Sequence, residues 1–264
     1  MGEMRRVFVS AAIVGFFYVL IAYVTLPAFW AHYERQPGLA NHPMVTRTAR
    51  GIPGDPLNVG LIGGREDVIR AMHAGGWYPA DPITLRSSID IIGSVMLDRP
   101  YDTAPVSPLF YEGRREDLAY EMPVGNSAKQ RHHVRLWKVL DTGAEQRPVW
   151  LGSATFDQRV GFSEYTGQVT HDIAPDIDAE RDYLANSLTR AGMVEAIYQV
   201  SGVGPTLNGR NGEGSRYYTD GEIRMLTLVH GGKRRSEPPQ MLASPPLIQA
   251  KDNAWMSIKN AIGN

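Results

Sequence analysis

The sequence predicts an α+β protein: a mainly antiparallel sheet of about six or seven strands, with three helices packed on one face, behind one transmembrane helix. Three observations carry that prediction. Residues Val7 to Ala31 form an apolar run without Asp, Glu, Lys or Arg. Downstream, apolar positions recur at helical spacing in some segments and alternate with polar ones in others. The 27 glycines and 18 prolines interrupt the chain often enough to impose short elements and many turns instead of a helical bundle.

The apolar run comes first. A helix rising 1.5 Å per residue needs roughly 20 apolar residues to cross the hydrocarbon core, and this stretch exceeds that even if Pro27 ends it early. Tyr18 and Tyr23 lie within it, and Phe29, Trp30 and Tyr33 gather at its far end, where amphipathic rings favour the headgroup layer. A cleaved signal peptide is the competing reading, because Arg5 and Arg6 also describe an n-region. The run is longer than a usual h-region, and no small-x-small pair closes it: Leu26 precedes Ala28 and Phe29 precedes Ala31. An uncleaved anchor is therefore expected. Arg5 and Arg6 are opposed by Arg35, Arg47 and Arg50, so the charge rule leaves orientation undecided. A signal anchor would leave residues 1–31 as cytoplasmic tail and span, with the large domain on the periplasmic side.

Composition narrows the function. With 27 basic and 28 acidic residues the net charge is -1, which excludes the electrostatic footprint of a nucleic-acid binder. Cysteine is absent, which removes disulfides, thiolate catalysis and Cys-ligated metals. The expected organisation is an anchor over 1–31, an irregular Pro/Gly-rich linker over 32–56, a globular domain over 57–230, and a Pro-rich tail over 231–264 ending in a short amphipathic helix around Trp255, Ile258 and Ile262.

Within the globular domain, Asn58 to Ile62 reads as a strand. Gly63 and Gly64 follow, then a helix with Val68, Ile69 and Met72 on one face, stopped by Gly75 and Gly76. Asp81 and Pro82 look like the cap and first turn of a second helix, with Leu85, Ile89, Ile92 and Met96 at helical spacing. Leu109 to Tyr111 and Leu118 to Met122 flank a polar turn, Gly113 to Asp117, and predict a hairpin. His133 to Leu140, Val149 to Asp157 and Gly167 to Ile173 continue an antiparallel meander. Ile177, Leu184, Leu188 and Ala191 mark a third helix, with acidic residues in its first turns and Gly192 past its end. Val194 to Val203 and Glu222 to Val229 are expected to pair antiparallel across a glycine-rich loop.

Four stretches, Asp55-Pro-Leu-Asn-Val-Gly-Leu-Ile-Gly, Gly76-Trp-Tyr-Pro-Ala-Asp, Arg131-His-His-Val-Arg-Leu-Trp and Val169-Thr-His-Asp-Ile-Ala-Pro-Asp-Ile-Asp-Ala-Glu-Arg-Asp, occur in an order that resembles the LssY C-terminal domain family. The similarity covers about Asp55 to His230. Such domains stand alone behind an anchor helix or follow multi-pass membrane proteins with phosphatase-like or DedA-like modules. The family name comes from a component associated with type I secretion. The resemblance implies a membrane setting and envelope or lipid-handling partners. It implies no particular activity and carries over no catalytic residues.

The residues themselves offer one constellation of interest. Arg131, His132, His133 and Arg135 lie on or just before one expected strand, and His171-Asp172 lies at the end of another. An imidazole beside a carboxylate suits general acid-base work, because the carboxylate fixes the tautomer and raises basicity. The catalytic candidates are thus His133, His171 and Asp172. Adjacent strand residues face opposite sides, so at most one of His132 and His133 can join His171. Arginines framing a histidine also suit a phosphate, which makes Arg131, His132 and Arg135 candidate ligand-binding residues. The bland alternative is a solvated strand face. The polar glycine loop adds Asn208 and Arg210.

Other motifs are weaker. Asp176, Asp178, Glu180 and Asp182 alternate like the start of a calcium loop, but Arg181 stands where the turn needs Gly and Ser187 where Glu is required. Their simpler role is to offset the helix dipole. Gly60, Gly63 and Gly64 lack both the dinucleotide spacing and a P-loop Lys. No metal or cofactor is expected. The leading functional expectation is a membrane-tethered, extracytoplasmic accessory or ligand-binding module, whose partners are the bilayer and envelope membrane proteins. The rival is a hydrolase of a phosphorylated envelope substrate, and it requires His133 and His171 to share one cleft. A purely structural part of a secretion assembly would instead show a large exposed apolar patch.

Overall fold

The computed structural model describes residues 2–29, 35–80, 86, 108–125, 130–165, 167 and 169–262. The chain divides into two compact units, residues 1–35 with 244–264, and residues 36–243.

In the first unit, α1 (Gly2–Leu20) runs into a π-helical turn (Ile21–Thr25) and a last helical turn, Leu26–Phe29. Pro27 explains the widening. It has no N–H to donate and its ring crowds the carbonyl one turn back, so the ladder loosens ahead of it. The apolar span Met4–Thr25 has mean hydropathy 2.4 and none of it is buried. At 1.5 Å per residue its 22 residues extend about 33 Å, long enough to cross a bilayer. An apolar helix near the N-terminus marks a membrane anchor or a signal sequence. The expected terminal helix spans Pro246–Ile262, longer than the short piece predicted.

The second unit is α+β with mixed sheets. Its fifteen strands, counted among the described residues, are β1 (Val45–Thr48), β2 (Pro53–Pro56), β3 (Val59–Ile62), β4 (Tyr78–Pro79), β5 (Leu109–Tyr111), β6 (Arg114–Arg115), β7 (Leu118–Pro123), β8 (Arg131–Leu140), β9 (Val149–Phe162), β10 (Val169–Ile173), β11 (Val194–Ser201), β12 (Thr206–Arg210), β13 (Arg216–Thr219), β14 (Glu222–Leu228) and β15 (Gln240–Met241). Two helices of this unit are α2 (Arg65–Ala74) and α3 (Ile177–Arg190); with α1 and α4 (Pro246–Ile262) they make four. The main sheet runs β15-β11-β14-β3-β9-β8-β7-β4, with β10 also on β9. Most pairs are antiparallel, but β14 with β3 and β11 with β15 are parallel. A smaller sheet runs β2-β1-β5-β6, and β12 and β13 form a separate ribbon.

Strand β9 organises the unit. Its residues from Val149 to Asp157 pair with β8, its first residues pair with β3, and its last ones pair with β10. Between the β3 and β10 ladders the backbone of Ala154 would be left open. Asn58 closes it: its side chain accepts from Ala154 N at 2.9 Å and donates to Ala154 O at 2.9 Å. Alternation then gives the sheet two unlike faces. Val134 and Leu136 of β8, Trp150 and Ala154 of β9, and Val59 and Leu61 of β3 meet Val68, Ile69 and Met72 of α2 and Leu184 and Leu188 of α3 in the apolar core. The opposite face carries Arg131, His133, Arg135, Ser153, Thr155 and Asp157, all buried although polar.

Several expectations are corrected. Residues 36–56, read as linker, are folded: Leu39 is buried, and β1 and β2 pair in the small sheet. Strand β2 reads Pro-Gly-Asp-Pro, which no periodicity reveals. The hairpin after β5 is tighter than predicted. Glu112 (φ 49°) and Gly113 (φ 80°) make a two-residue turn into β6, and β7 pairs with β8 and β4 of the main sheet. The glycine loop contains β12 and β13, while the expected antiparallel pairing of β11 with β14 is present. The helix with Leu85, Ile89, Ile92 and Met96 lies outside the described residues.

Candidate functional site

The buried polar face of β8 and β9 is the floor of a small cleft lined by Asp55, Leu109, His133, Arg135, Thr155, Asp157, His171 and Asn211, among others. Register explains the floor. Arg135 is opposite Ser153, His133 opposite Thr155 and Arg131 opposite Asp157, so alternate residues of two neighbouring strands stack on one side. Asp157 is in turn opposite Ile173 of β10, and a bulge follows before Arg159 meets Asp172. His171, two residues from Ile173, returns to the cleft side, whereas Asp172 turns away. The small sheet contributes Asp55 from β2 and Leu109 from β5. The turn after β12 contributes Asn211, Gly212 and Glu213.

The charges are held in a fixed arrangement. Arg131 donates from Nε to Asp157 Oδ2 at 3.0 Å and from Nη1 to Glu121 Oε2 at 2.9 Å. Asp55 accepts from Asn211 Nδ2 at 2.9 Å and faces Arg135 Nη1 at 3.9 Å. Burial pushes the Asp55 carboxyl above its ordinary value, against the opposing pull of Arg135 and Asn211. Burial also holds the His133 imidazole well below the usual histidine range, and Arg135, Arg131 and His171 push it the same way. His171 is lowered chiefly by burial, with Asp157 resisting. Both histidines are therefore neutral near pH 7. Nδ1 and Nε2 of His171 and Nη2 of Arg131 are enclosed without a hydrogen-bond partner among the described residues.

The residues singled out from sequence divide cleanly. His133, His171 and Arg135 line the cleft, and Arg131 stands beside them through Asp157. His132 does not. It lies on the helix face, stacked on Tyr183 with ring centroids 3.8 Å apart, and its Nδ1 meets Glu180 Oε2 at 2.8 Å. Asp172 does not orient His171 either: its carboxylate accepts from Arg159 Nε at 2.8 Å and from Ser215 Oγ at 3.3 Å. The carboxylate that acts on His171 is Asp157. Asn208 and Arg210 are exposed on β12, where Arg210 is tied to Glu164 and to Gly214 O. Asp55 and Asp157 escaped the sequence reading as site residues, and Asn211 stood in the singled-out glycine loop without being a named candidate. The usable signal was the alternation of Ser153, Thr155 and Asp157 with Ala154 and Phe156, which puts the acid on a polar face of the strand.

Each acid at the start of α3 has its own partner. Asp176 caps the helix by accepting from Ala179 N at 3.1 Å. Asp178 accepts from Thr219 Oγ1 and Asp220 N, Glu180 holds His132, and Asp182 meets Arg181 and Arg224. Among the described residues no group of three or more His, Asp or Glu is placed to hold a metal ion.

The family model for the LssY C-terminus matches residues 39–223. The chain belongs to that family. The match to the LssY C-terminus begins before Asp55, the start expected from sequence, and so takes in β1 and β2; it stops inside β14 instead of at His230. Every residue named above as lining the cleft falls within it. Comparison with curated proteins and with solved structures gives no match.

Proposed function

We propose that this protein is a single-pass membrane-anchored LssY C-terminal domain whose cleft binds a small ligand, as an extracytoplasmic accessory module beside envelope or lipid-handling membrane proteins. Family membership and the apolar helix Met4–Thr25 support the anchored architecture. The observation that carries the ligand-binding reading is the gathering of His133, His171, Arg135, Asp55 and Asp157 on one cleft. Burying that many ionisable groups costs stability unless they are paired, and a domain of this size could cover the same sheet face with apolar residues at less cost. Among the described residues of this unit the large exposed apolar side chains, Val124, Phe162, Tyr165, Leu207 and Met241, come from scattered stretches, which weighs against a broad apolar docking face there. The test is a small-molecule fragment screen on the full chain in detergent micelles, read by the ring-proton NMR signals of its histidines. Saturable shifts at His133 and His171 that leave His132 in place are expected; uniform silence across the screen would end the reading.

The second reading is a membrane-tethered hydrolase of a phosphorylated substrate. The shared cleft of His133 and His171 favours it, because one neutral imidazole can act as general base while the other, once protonated beside a bound phosphate dianion, acts as general acid. Turnover of an aryl phosphate or phosphodiester by the full chain, lost in His171→Ala, would establish it. Binding without turnover leaves the accessory module.

A further inference from the structure

Among the described residues, the hydrogen-bonding capacity left open at the cleft belongs to the His171 imidazole and to the Arg131 guanidinium beside it. Asp157 is engaged by Arg131, and Asp55 is engaged by Asn211 and faces Arg135. His171 has both ring nitrogens enclosed without a protein partner, and Arg131 Nη2 is in the same condition. The charged groups that act on His133 are Arg135, Arg131 and His171, all cationic or potentially so. The carboxylates that face the cleft are Asp157 from β9, Asp55 from β2 and Glu213 from the turn after β12, and Glu121 of β7 sits behind Arg131. A cation would have to take Asp157, Asp55 and Glu121 from their present donors. An anion needs only donors that are already in place.

Size narrows the class further. The cleft has about 40 Å³ of room, where a water-sized atom occupies at least roughly 10–15 Å³. That admits a compact anionic head and keeps the organic remainder outside. We propose that the cleft takes the terminal phosphate of a monoester, a tetrahedral oxyanion held by Arg135 and by the rings of His133 and His171. The assignment rests on the ligand-binding reading above. It has a consequence in protons. The histidines are neutral because burial and neighbouring arginines disfavour their charged forms, and a dianion between them reverses that balance. A second N–H then becomes available to the bound oxygens, so binding is accompanied by proton uptake and strengthens as pH falls.

The experiment uses the full chain in detergent micelles, titrated calorimetrically with inorganic sulfate and inorganic phosphate. Sulfate stays divalent from pH 6 to 8, so any proton taken up belongs to the protein. Measurement in two buffers of different ionisation heat gives the proton count. One sulfate per chain is expected, with uptake of about one proton and affinity falling up to about tenfold per pH unit above the titration of the complex. His171→Ala and His171→Gln should both abolish the proton uptake and weaken binding at least tenfold, while the exposed Arg210→Ala binds as the parent does. A micellar short-chain phosphatidic acid arm separates sources: tighter binding than inorganic phosphate identifies a lipid headgroup, equal binding a soluble ester, and either supports the assignment. Sulfate and phosphate that fail to bind, or that bind both His171 variants with unchanged proton count, overturn it. If the anions fail while neutral or cationic fragments still shift His133 and His171, the oxyanion falls and the ligand-binding reading stands.

Discussion

Arg131 and Asp157 sit opposite one another on β8 and β9 and close a 3.0 Å Nε to Oδ2 hydrogen bond beside the cleft. The same guanidinium reaches Glu121 of β7, so one buried cation ties three adjacent strands. Removing a single member of such a set leaves charge uncompensated away from water, which is costlier than removing the set. Asp157→Ala is expected to destabilise the protein by roughly 3 kcal/mol. The double variant Arg131→Met with Asp157→Ala should lose clearly less than the two single losses added together. Urea unfolding of the full chain in detergent, followed by tryptophan fluorescence, measures this cycle, and simple additivity would show that the pair does not act as a unit.

The two neighbouring histidines have opposite assignments, and substitution separates them. His132 packs between Tyr183, Phe156 and Trp77 and hydrogen-bonds Glu180, whose carboxyl burial pushes above its ordinary value. His132→Phe keeps the stacking and abandons Glu180, so a loss of about 1–3 kcal/mol in stability is expected with the cleft untouched. His133→Phe fills the cleft instead and should abolish anion binding. Loss of sulfate binding in His132→Phe at full foldedness by circular dichroism would contradict the division of faces.

Much of this division could be read from the sequence, and the reasons it ended are specific. The rule that adjacent strand residues face apart placed only one of His132 and His133 with His171, and the register bears that out by seating His133 there. The rule could not say which one, because that depends on how β8 pairs with β9. The same rule sets Asp172 on the side away from His171, as the strand has it, but the sequence reading did not apply it to that pair. Asp55 was lost for a different reason. Its strand reads Pro-Gly-Asp-Pro, a composition that local propensity assigns to a linker and that only pairing with β1 makes a strand. Asn211 lay three residues from Asn208 in a loop whose importance was legible, but turn geometry chose between them.

The pH dependence of stability has a definite sign. The folded-state His133 titrates well below 6.5, so between that value and 6.5 the unfolded chain binds a proton that the folded one does not. Stability is thus fully present above pH 6.5 and is lost as pH falls below it. Asp55 and Glu121, raised by burial from 3.8 and 4.5, run the other way in the acid range, because there the folded chain holds the extra protons. Comparing the parent with His133→Gln cancels the carboxylates. Between pH 7.5 and 5.5 the parent should lose on the order of 1 kcal/mol more than the variant, and parallel curves would mean that His133 is not held neutral.

The apolar span makes a prediction that does not depend on the cleft. Val14 and Phe17 lie near the middle of Met4–Thr25, and both side chains are exposed. In water that arrangement is unfavourable, because roughly 25 cal/mol is lost for every Å² of apolar surface left wet. In lipid it is favourable, and there a central Arg would cost about 2.5–3.5 kcal/mol. Val14→Arg with Phe17→Arg therefore removes most of the insertion free energy while leaving residues 36–243 unchanged in sequence. The parent is expected in the membrane pellet after alkaline carbonate washing, and the double variant in the supernatant or in aggregates that detergent does not dissolve. A parent chain recovered in the supernatant at full length, or shortened past the span, would show that this helix is not a lasting anchor.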